Sequence, residues 1–277
     1  MKMIIDLHTH SNKSDGTLSP YALVELAKAQ SVNTLALTDH DTVGGVEEAL
    51  RAGYDLGVNI IPGIELSTTY NKETIHVLGY FKGDGYKDKN LINFLNNLET
   101  NRMTRAKQIV VNLKKYFNID IDYNSIINNN KGVIARPHIA KAIIDAGYNY
   151  TFHNIFKKFL GDDSPAYVPN KKVSTEDGIN LLKSYGCITS LAHPVLIKKN
   201  PVEDIISLPF HCIEAVYYLN FKKDELKLIS LAQKYKKAIT CGSDFHGYGE
   251  SDTKHGNVGS VSITPELIDP FLKLIKN

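Results

Sequence analysis

The chain has 277 residues, 43% hydrophobic and 22% charged, which supplies a sizeable core and excludes an intrinsically disordered chain. No apolar run approaches the ~18 residues of a membrane-spanning helix. Its 32 basic and 30 acidic residues leave a net charge of +2, too little for the basic footprint of a dedicated nucleic-acid binder.

The first eighty residues alternate strand and helix. Residues 3–7 (MIIDL) form a short apolar run, predicted as a strand. Ser19-Pro20 opens a helix, with serine as its N-cap and proline at its first position. Residues 34–38 (TLALT) follow as a buried strand, and a helix over 45–56 ends near Gly57. Asn59 to Ile61 and Ile75 to Phe81 are the third and fourth strands. Uninterrupted apolar strands between helices predict a parallel sheet covered on both faces.

From residue 88 to 160 the periodicity turns helical. Leu91, Phe94, Leu95 and Leu98 share a face, and Ala106, Ile109, Val110 and Leu113 continue it. An asparagine-rich turn at 128–132 precedes a helix opening at Arg136-Pro137. Alternation then resumes. A helix over 174–185 starts with Ser174 and Asp177 in capping-box spacing. Strands are predicted at 187–192, 213–218 and 238–241, and amphipathic helices at 224–235 and 265–276. The pattern is an α/β barrel with about seven strands, residues 1–86 and 166–277, interrupted by a helical insertion, residues 87–165, expected to act as a cap.

Cys187, Cys212 and Cys241 are odd in number and form no CxxC pair, so they are expected as buried thiols in a reducing, cytoplasmic setting. The N-terminal MKMIIDLHTH turns polar after five residues and lacks the apolar stretch of a secretory signal.

The histidines carry the functional signal. His8 and His10 follow the first strand, His40 the second, His193 the strand at 187 and His246 the strand at 238, while His76 lies within the fourth. Asp15, Asp39, Glu65 and Asp244 accompany them. In a parallel barrel the strand C-termini share one rim, and residues distant in sequence converge there. In extended backbone, residues i and i+2 face the same way, so both histidines of His8-x-His10 can grip one ion. Imidazole and carboxylate without thiolate suit manganese, iron or zinc. The set exceeds what one ion needs. Two or three ions sharing a carboxylate would use it, and such ions clamp phosphoryl oxygens. His153, His211 and His255 have no such partners in the pattern.

As an ordered set, DLHTHSNKSDG, LALTDHDT, GIELS, IHVLGY, LAHP and GSDFHG resemble the motifs of the PHP (polymerase and histidinol phosphatase) family. Within it, the segment Arg136-Pro137-His138-Ile139-Ala140 and the insertion resemble the small stand-alone phosphoesterases, the branch of 3′,5′-nucleoside bisphosphate phosphatases and ribonuclease AM. The resemblance implies a distorted (β/α)7 TIM-like barrel and a site for two or three divalent ions, manganese first, with iron or zinc as alternatives. Carried over, His8 and His10 hold one ion with Glu65 and Asp244. Glu65 bridges to a second, held by His76 and His193, with His138 the alternative to His193. Asp15, His40 and His246 hold the third, and Asp39 orients a ligand imidazole.

Arg136 and His138 start a helix, where backbone amides and a cationic side chain favour an anion, so they are predicted to bind a substrate phosphate. A salt bridge from Arg136 to a surface acid is the competing expectation. Lys171 and Lys172 are candidates for a basic rim, and Tyr217, Tyr218 and Asn220 for stacking on a base. The expected activity is hydrolysis of phosphate esters of small nucleotides, such as 3′,5′-bisphosphates, extending to the 5′ ends of short single-stranded oligonucleotides. A histidinol or sugar phosphate phosphatase is the alternative enzyme, and a non-catalytic metal-binding regulator the alternative class. Neither a membrane nor an obligate protein partner is expected.

Overall fold

The structure, a computed structural model, describes residues 4–129, 134, 136–169, 173–249 and 252–276. In chain order its elements are β1 (Ile5–Thr9), α1 (Pro20–Ala29), β2 (Thr34–Leu37), α2 (Val46–Leu56), β3 (Asn59–Tyr70) and β4 (Glu73–Phe81). Then come α3 (Lys89–Phe117), α4 (Tyr123–Asn129), α5 (Arg136–Asp145) and α6 (Phe152–Ile155). The chain continues through β5 (Val173–Ser174), α7 (Thr175–Ser184), β6 (Cys187–Leu191), α8 (Val202–Ile206), β7 (Cys212–Tyr217), α9 (Lys222–Lys234), β8 (Ala238–Gly242) and α10 (Pro265–Lys276). It divides into two compact units, residues 1–92 with 172–277, and residues 93–171.

In the first unit, seven strands run in the order β1-β2-β3-β4-β6-β7-β8, and the two-residue β5 pairs beside β3. The sheet curls until its ends meet: Thr9 bridges Phe245, His10 N–H donates to Phe245 O at 2.9 Å, and Asp244 N–H donates to His8 O at 2.9 Å. The result is a nearly closed, distorted TIM-like barrel. Every residue of β1, β2, β6 and β7 is buried, as strands covered on both faces require.

The expectation of a wholly parallel sheet is corrected by β4. It runs antiparallel to β3 and to β6. No helix separates β3 from β4. The strands form a hairpin through Asn71 and Lys72, both at positive φ (43° and 66°), the backbone that a tight hairpin turn demands. This turn is short and polar, and β3 runs to Tyr70, well past Ile61. The reversal has a consequence for the site. In an antiparallel strand the beginning, not the end, lies at the rim formed by its neighbours' C-termini. His76, near the start of β4, pairs with Ser67, near the end of β3.

The caps form as their residues dictate. Ser19 Oγ accepts the Ala22 amide at 3.2 Å, and Ser174 Oγ accepts the Asp177 amide at 3.1 Å. Gly57 closes α2 in the left-handed region at φ 69°.

The second unit is helical. Ala106, Ile109 and Leu113 of α3 are buried in one cluster with Ile139 and Ile143 of α5 and Ile155 of α6. It has a core of its own, built on the apolar stripe that the sequence displays. Lys171 and Lys172, and the later part of the asparagine-rich turn, lie outside the described residues.

Candidate metal centre

The rim of the barrel gathers side chains from six strands, β1, β2, β3, β4, β6 and β8, and the loops after them. β1 delivers His8 to the interior and the chain continues into His10, both completely buried. Their Nε2 atoms each lie 3.2 Å from Glu65 Oε2, and 3.3 and 3.1 Å from Asp244 Oδ1. The other oxygen of Glu65, Oε1, lies 2.8 Å from His76 Nδ1 and 3.0 Å from His193 Nε2, and these two rings approach to 3.3 Å. A third group surrounds Asp15: Oδ1 is 3.2 Å from His246 Nε2, and Oδ2 is 3.8 Å from His40 Nε2. His40 Nδ1 in turn lies 3.0 Å from Glu65 Oε2.

Donor atoms of His8, His10, Glu65 and Asp244 all fall within 4.8 Å of one another, as do those of His10, Asp15, His40 and His246, and those of His40, Glu65 and His76. All nine residues expected as ligands thus meet in one place. Glu65 sits at its centre and is fully buried.

Whether this set suits metal ions is decided by its unsatisfied atoms. His8 Nε2, both ring nitrogens of His10, Asp15 Oδ1, His40 Nδ1 and Glu65 Oε2 are buried without a hydrogen-bond partner among the described residues. A buried polar atom left so costs roughly 1–3 kcal/mol. Six such atoms converging from imidazoles and carboxylates are what a cation site needs. The donor chemistry is right for a divalent ion of borderline-to-hard character.

The electrostatics agree. Burial alone depresses the His8 and His10 imidazoles, but the surrounding carboxylates override it. His8 is held well above the ordinary histidine value and His10 is pushed up to about 10. His40, where burial prevails over Glu65 and Asp15, is driven down to about 3. Burial pushes Asp15 and Glu65 up, yet the neighbouring histidines hold both carboxyls well below their usual range. The pocket therefore strongly favours positive charge next to its carboxylates.

Two ligand candidates have unusual backbone. His193 sits at φ 29°, ψ 62°, and Asp244 at φ 57°, both left-handed without being glycine. Such conformations cost of order 1–3 kcal/mol and persist only where neighbours over-determine them.

Some expectations are corrected. Asp39, expected to orient an imidazole, has its hydrogen bonds with the loop after β1. Its buried carboxylate accepts from Ser11 N–H (2.7 Å), Ser11 O–H (2.7 Å) and Ser14 O–H (2.6 Å), so it fixes the loop after His10. Tyr217 is buried, with its hydroxyl donating to Asp244 Oδ2 at 2.9 Å, and offers no stacking face. Arg136 realises the salt-bridge expectation: Nη1 donates to Asp162 Oδ1 at 2.8 Å and to Leu160 O at 3.0 Å. His138 belongs to α5 of the helical unit, whereas His193 meets Glu65 and His76 directly.

Two buried acids were missed by sequence reasoning. Glu214, inside the apolar run IEAVYY, has Oε1 3.0 Å from His8 Nδ1, and its Oε2 accepts the His193 amide at 2.7 Å. Asp6, inside MIIDL, accepts Ser243 O–H at 2.6 Å and the Gly259 amide at 2.8 Å. A lone acid within a strand predicted to be buried was the available signal. His255 was passed over too. Its Nδ1 lies 2.8 Å from Asp252 Oδ2, and its ring centroid lies 4.1 Å from that of His246.

The sequence matches the PHP domain over residues 6–277. The chain belongs to the PHP family. It is 30% identical over 276 residues to the 3′,5′-nucleoside bisphosphate phosphatase of Chromobacterium violaceum, covering 96% of this chain and 94% of that protein. It is 30% identical over 254 residues to the 5′-3′ exoribonuclease Rnm of Salmonella typhimurium, covering 88% and 85%. Among solved structures, an amidohydrolase from Chromobacterium violaceum with bound sulfate and no metal superposes with a TM-score of 0.82 at 28% identity, over 98% of this chain and 96% of that one. The protein is a metal-dependent phosphoesterase, a hydrolase, and its His/Asp/Glu clusters are able to bind metal. No helix among the described residues is long and apolar enough to cross a membrane.

Proposed function

We propose that the protein hydrolyses phosphate esters of small nucleotides, 3′,5′-bisphosphates above all, and trims the 5′ ends of short single-stranded oligonucleotides. The observation that carries the reading is the convergence of nine imidazole and carboxylate side chains, six of their donor atoms buried and unpartnered among the described residues. His8, His10, Glu65 and Asp244 hold one ion. Glu65, with His76 and His193, would hold a second. Asp15, His40 and His246 hold a third. Two or three divalent ions, manganese first, supply the charge that offsets a phosphate dianion and lowers the pKa of a water.

The chain's own residues do the rest. The complete burial of His8, His10 and Glu65 keeps bulk water from these three side chains, so electrostatic interactions among them are weakly screened. Arg136 and His138 remain the candidate phosphate-binding pair of the helical unit, with Arg136 exchanging Asp162 for phosphate. The relatives named for nucleotide and RNA substrates, at 30% identity over most of the chain, support this choice over a histidinol or sugar phosphate. Three free, buried cysteines support a reducing, cytoplasmic setting.

The test is phosphate release by manganese-loaded protein from adenosine 3′,5′-bisphosphate, 5′-phosphorylated dinucleotides, histidinol phosphate and sugar phosphates, with Asp244→Ala as control. Turnover of the nucleotide set, lost in the control, is the expected result. Preference for histidinol phosphate or a sugar phosphate overturns the substrate class. No release from any of these compounds by the metal-loaded protein overturns the nucleotide reading.

A further inference from the structure

We propose that β7, a strand without a single metal ligand, is the device that positions ligands of two ion sites, through Glu214 and Tyr217. The proposal rests on the metal-centre reading above.

Residues three apart in a regular strand face opposite ways. Glu214 and Tyr217 nevertheless both reach the cluster. The reason lies in the register with β8. Glu214 opposes Thr240, but Val216 opposes Cys241, so two steps along β7 match one along β8. The extra residue is a β-bulge, the feature that re-aims side chains within a strand. It puts Glu214 and Tyr217 on the same side.

Glu214 then does two things with one carboxylate. Its Oε1, 3.0 Å from His8 Nδ1, keeps the proton on that nitrogen and turns the Nε2 lone pair toward Glu65 and Asp244. Carboxylates behind metal-bound imidazoles play this part generally. Its Oε2 accepts the His193 amide at 2.7 Å, where the backbone is left-handed. Tyr217 does the same for the other strained ligand. Its hydroxyl donates to Asp244 Oδ2 at 2.9 Å and leaves Oδ1 facing His8 and His10. Both left-handed ligand residues are thus held by one strand. The packing leaves no slack: a Cβ on Gly242 would lie 2.2 Å from His8 Cβ and 2.4 Å from Glu214 Oε1.

Glutamine at 214 loses the negative charge and one of the two acceptor oxygens, so an oxygen that keeps the His193 amide at 2.7 Å holds His8 Nδ1 only through the longer 3.2 Å contact. The experiment compares the full-length parent with Glu214→Gln and Tyr217→Phe. Each is checked for folding by circular dichroism, titrated with manganese, loaded with cobalt for its visible spectrum, and assayed for phosphate release. Glu214→Gln is expected to weaken binding at two sites by roughly 10–100-fold, the usual effect of removing such a partner. It should also shift the cobalt spectrum and lower kcat with little change in KM. Tyr217→Phe should weaken one site by less. Parent-like titration and spectrum in both variants overturn the proposal. Should Glu214→Gln fail to fold, parent-like titration and spectrum of Tyr217→Phe alone overturn it. A parent that binds no metal overturns the metal-centre reading itself, a result distinguishable from variants that bind as the parent does.

Discussion

His40 and Glu65 are joined twice. Their backbones form a parallel bridge, in which Asp41 N–H donates to Glu65 O at 2.9 Å and Glu65 N–H donates to Asp39 O at 3.1 Å. Their side chains meet as well, with His40 Nδ1 3.0 Å from Glu65 Oε2. Glu65 also touches His8, His10, His76 and His193, so one carboxylate is common to all three groups of ligands.

Glu65→Gln should therefore be the most damaging isosteric change in the centre. It removes the charge that several ligands share. We expect metal content to fall below one ion per chain and kcat/KM to fall by more than ~100-fold, beyond the effect of an outer partner. Elemental analysis and phosphate release check this. Parent-like metal content would refute the bridging role.

Removing metal should destabilise the fold. Without cations, buried carboxylates and imidazoles are left to offset one another imperfectly. Ions at 100 times their Kd add about 2.7 kcal/mol to stability. For a chain of this size that is roughly 5–10 °C in Tm. Thermal scans with chelator, then with manganese restored, should show the drop and its recovery.

Glu73 gives a pH prediction away from the centre. Its carboxylate accepts the amides of Lys198 (2.6 Å), Lys199 (3.0 Å) and Asn200 (3.0 Å), tying down the loop that follows His193. Burial pushes this carboxyl up, and those hydrogen bonds override it and hold it below its ordinary value. A depressed pKa in the folded state means stability that is present above the ordinary carboxylate pKa of about 4.3. It is lost as pH falls through the lower, folded value. Glu73→Gln should cost about 2 kcal/mol at pH 7, in the range for hydrogen bonds to a charged group. The gap between parent and variant should close in strong acid. Denaturant titrations across pH measure it; a gap that stays constant down to pH 2 would contradict the assignment.

Arg136 and Asp162 can be separated by their opposite effects. Arg136→Ala should raise KM for a bisphosphate about 10-fold or more, the value of a lost charge-assisted contact, with metal content unchanged. Asp162→Ala releases the guanidinium and should lower KM or leave it unaltered. Steady-state kinetics on both variants decide this. Equal effects in the two would mean that the pair only braces α5.

Much of this protein was legible in its sequence because the candidate ligands are polar residues at the ends of apolar strands. His8, His10, His40 and His246 stand out against MIIDL, TLALT and AITC, and the barrel brings their strand ends together. The helical unit was visible for a similar reason, since a 3.6-residue apolar period such as Ile109, Leu113 needs no distant partner to be recognised. The direction of β4 was not legible. Its composition fits either direction, and only pairing with β3 and β6 made it antiparallel and put His76 at the rim. The hydrogen bonds of Asp39 were likewise decided by proximity, as Ser11 and Ser14 donate to its carboxylate. Glu214 was hidden for the same physical reason. Its importance depends on a bulge in β7 and on a contact with His8, 206 residues away in sequence. The sequence by itself determined which imidazoles and carboxylates are candidate ligands and the chemistry they favour. Tertiary structure alone decided strand direction, register and which buried carboxylate holds which ligand, because those depend on pairings that no local pattern encodes.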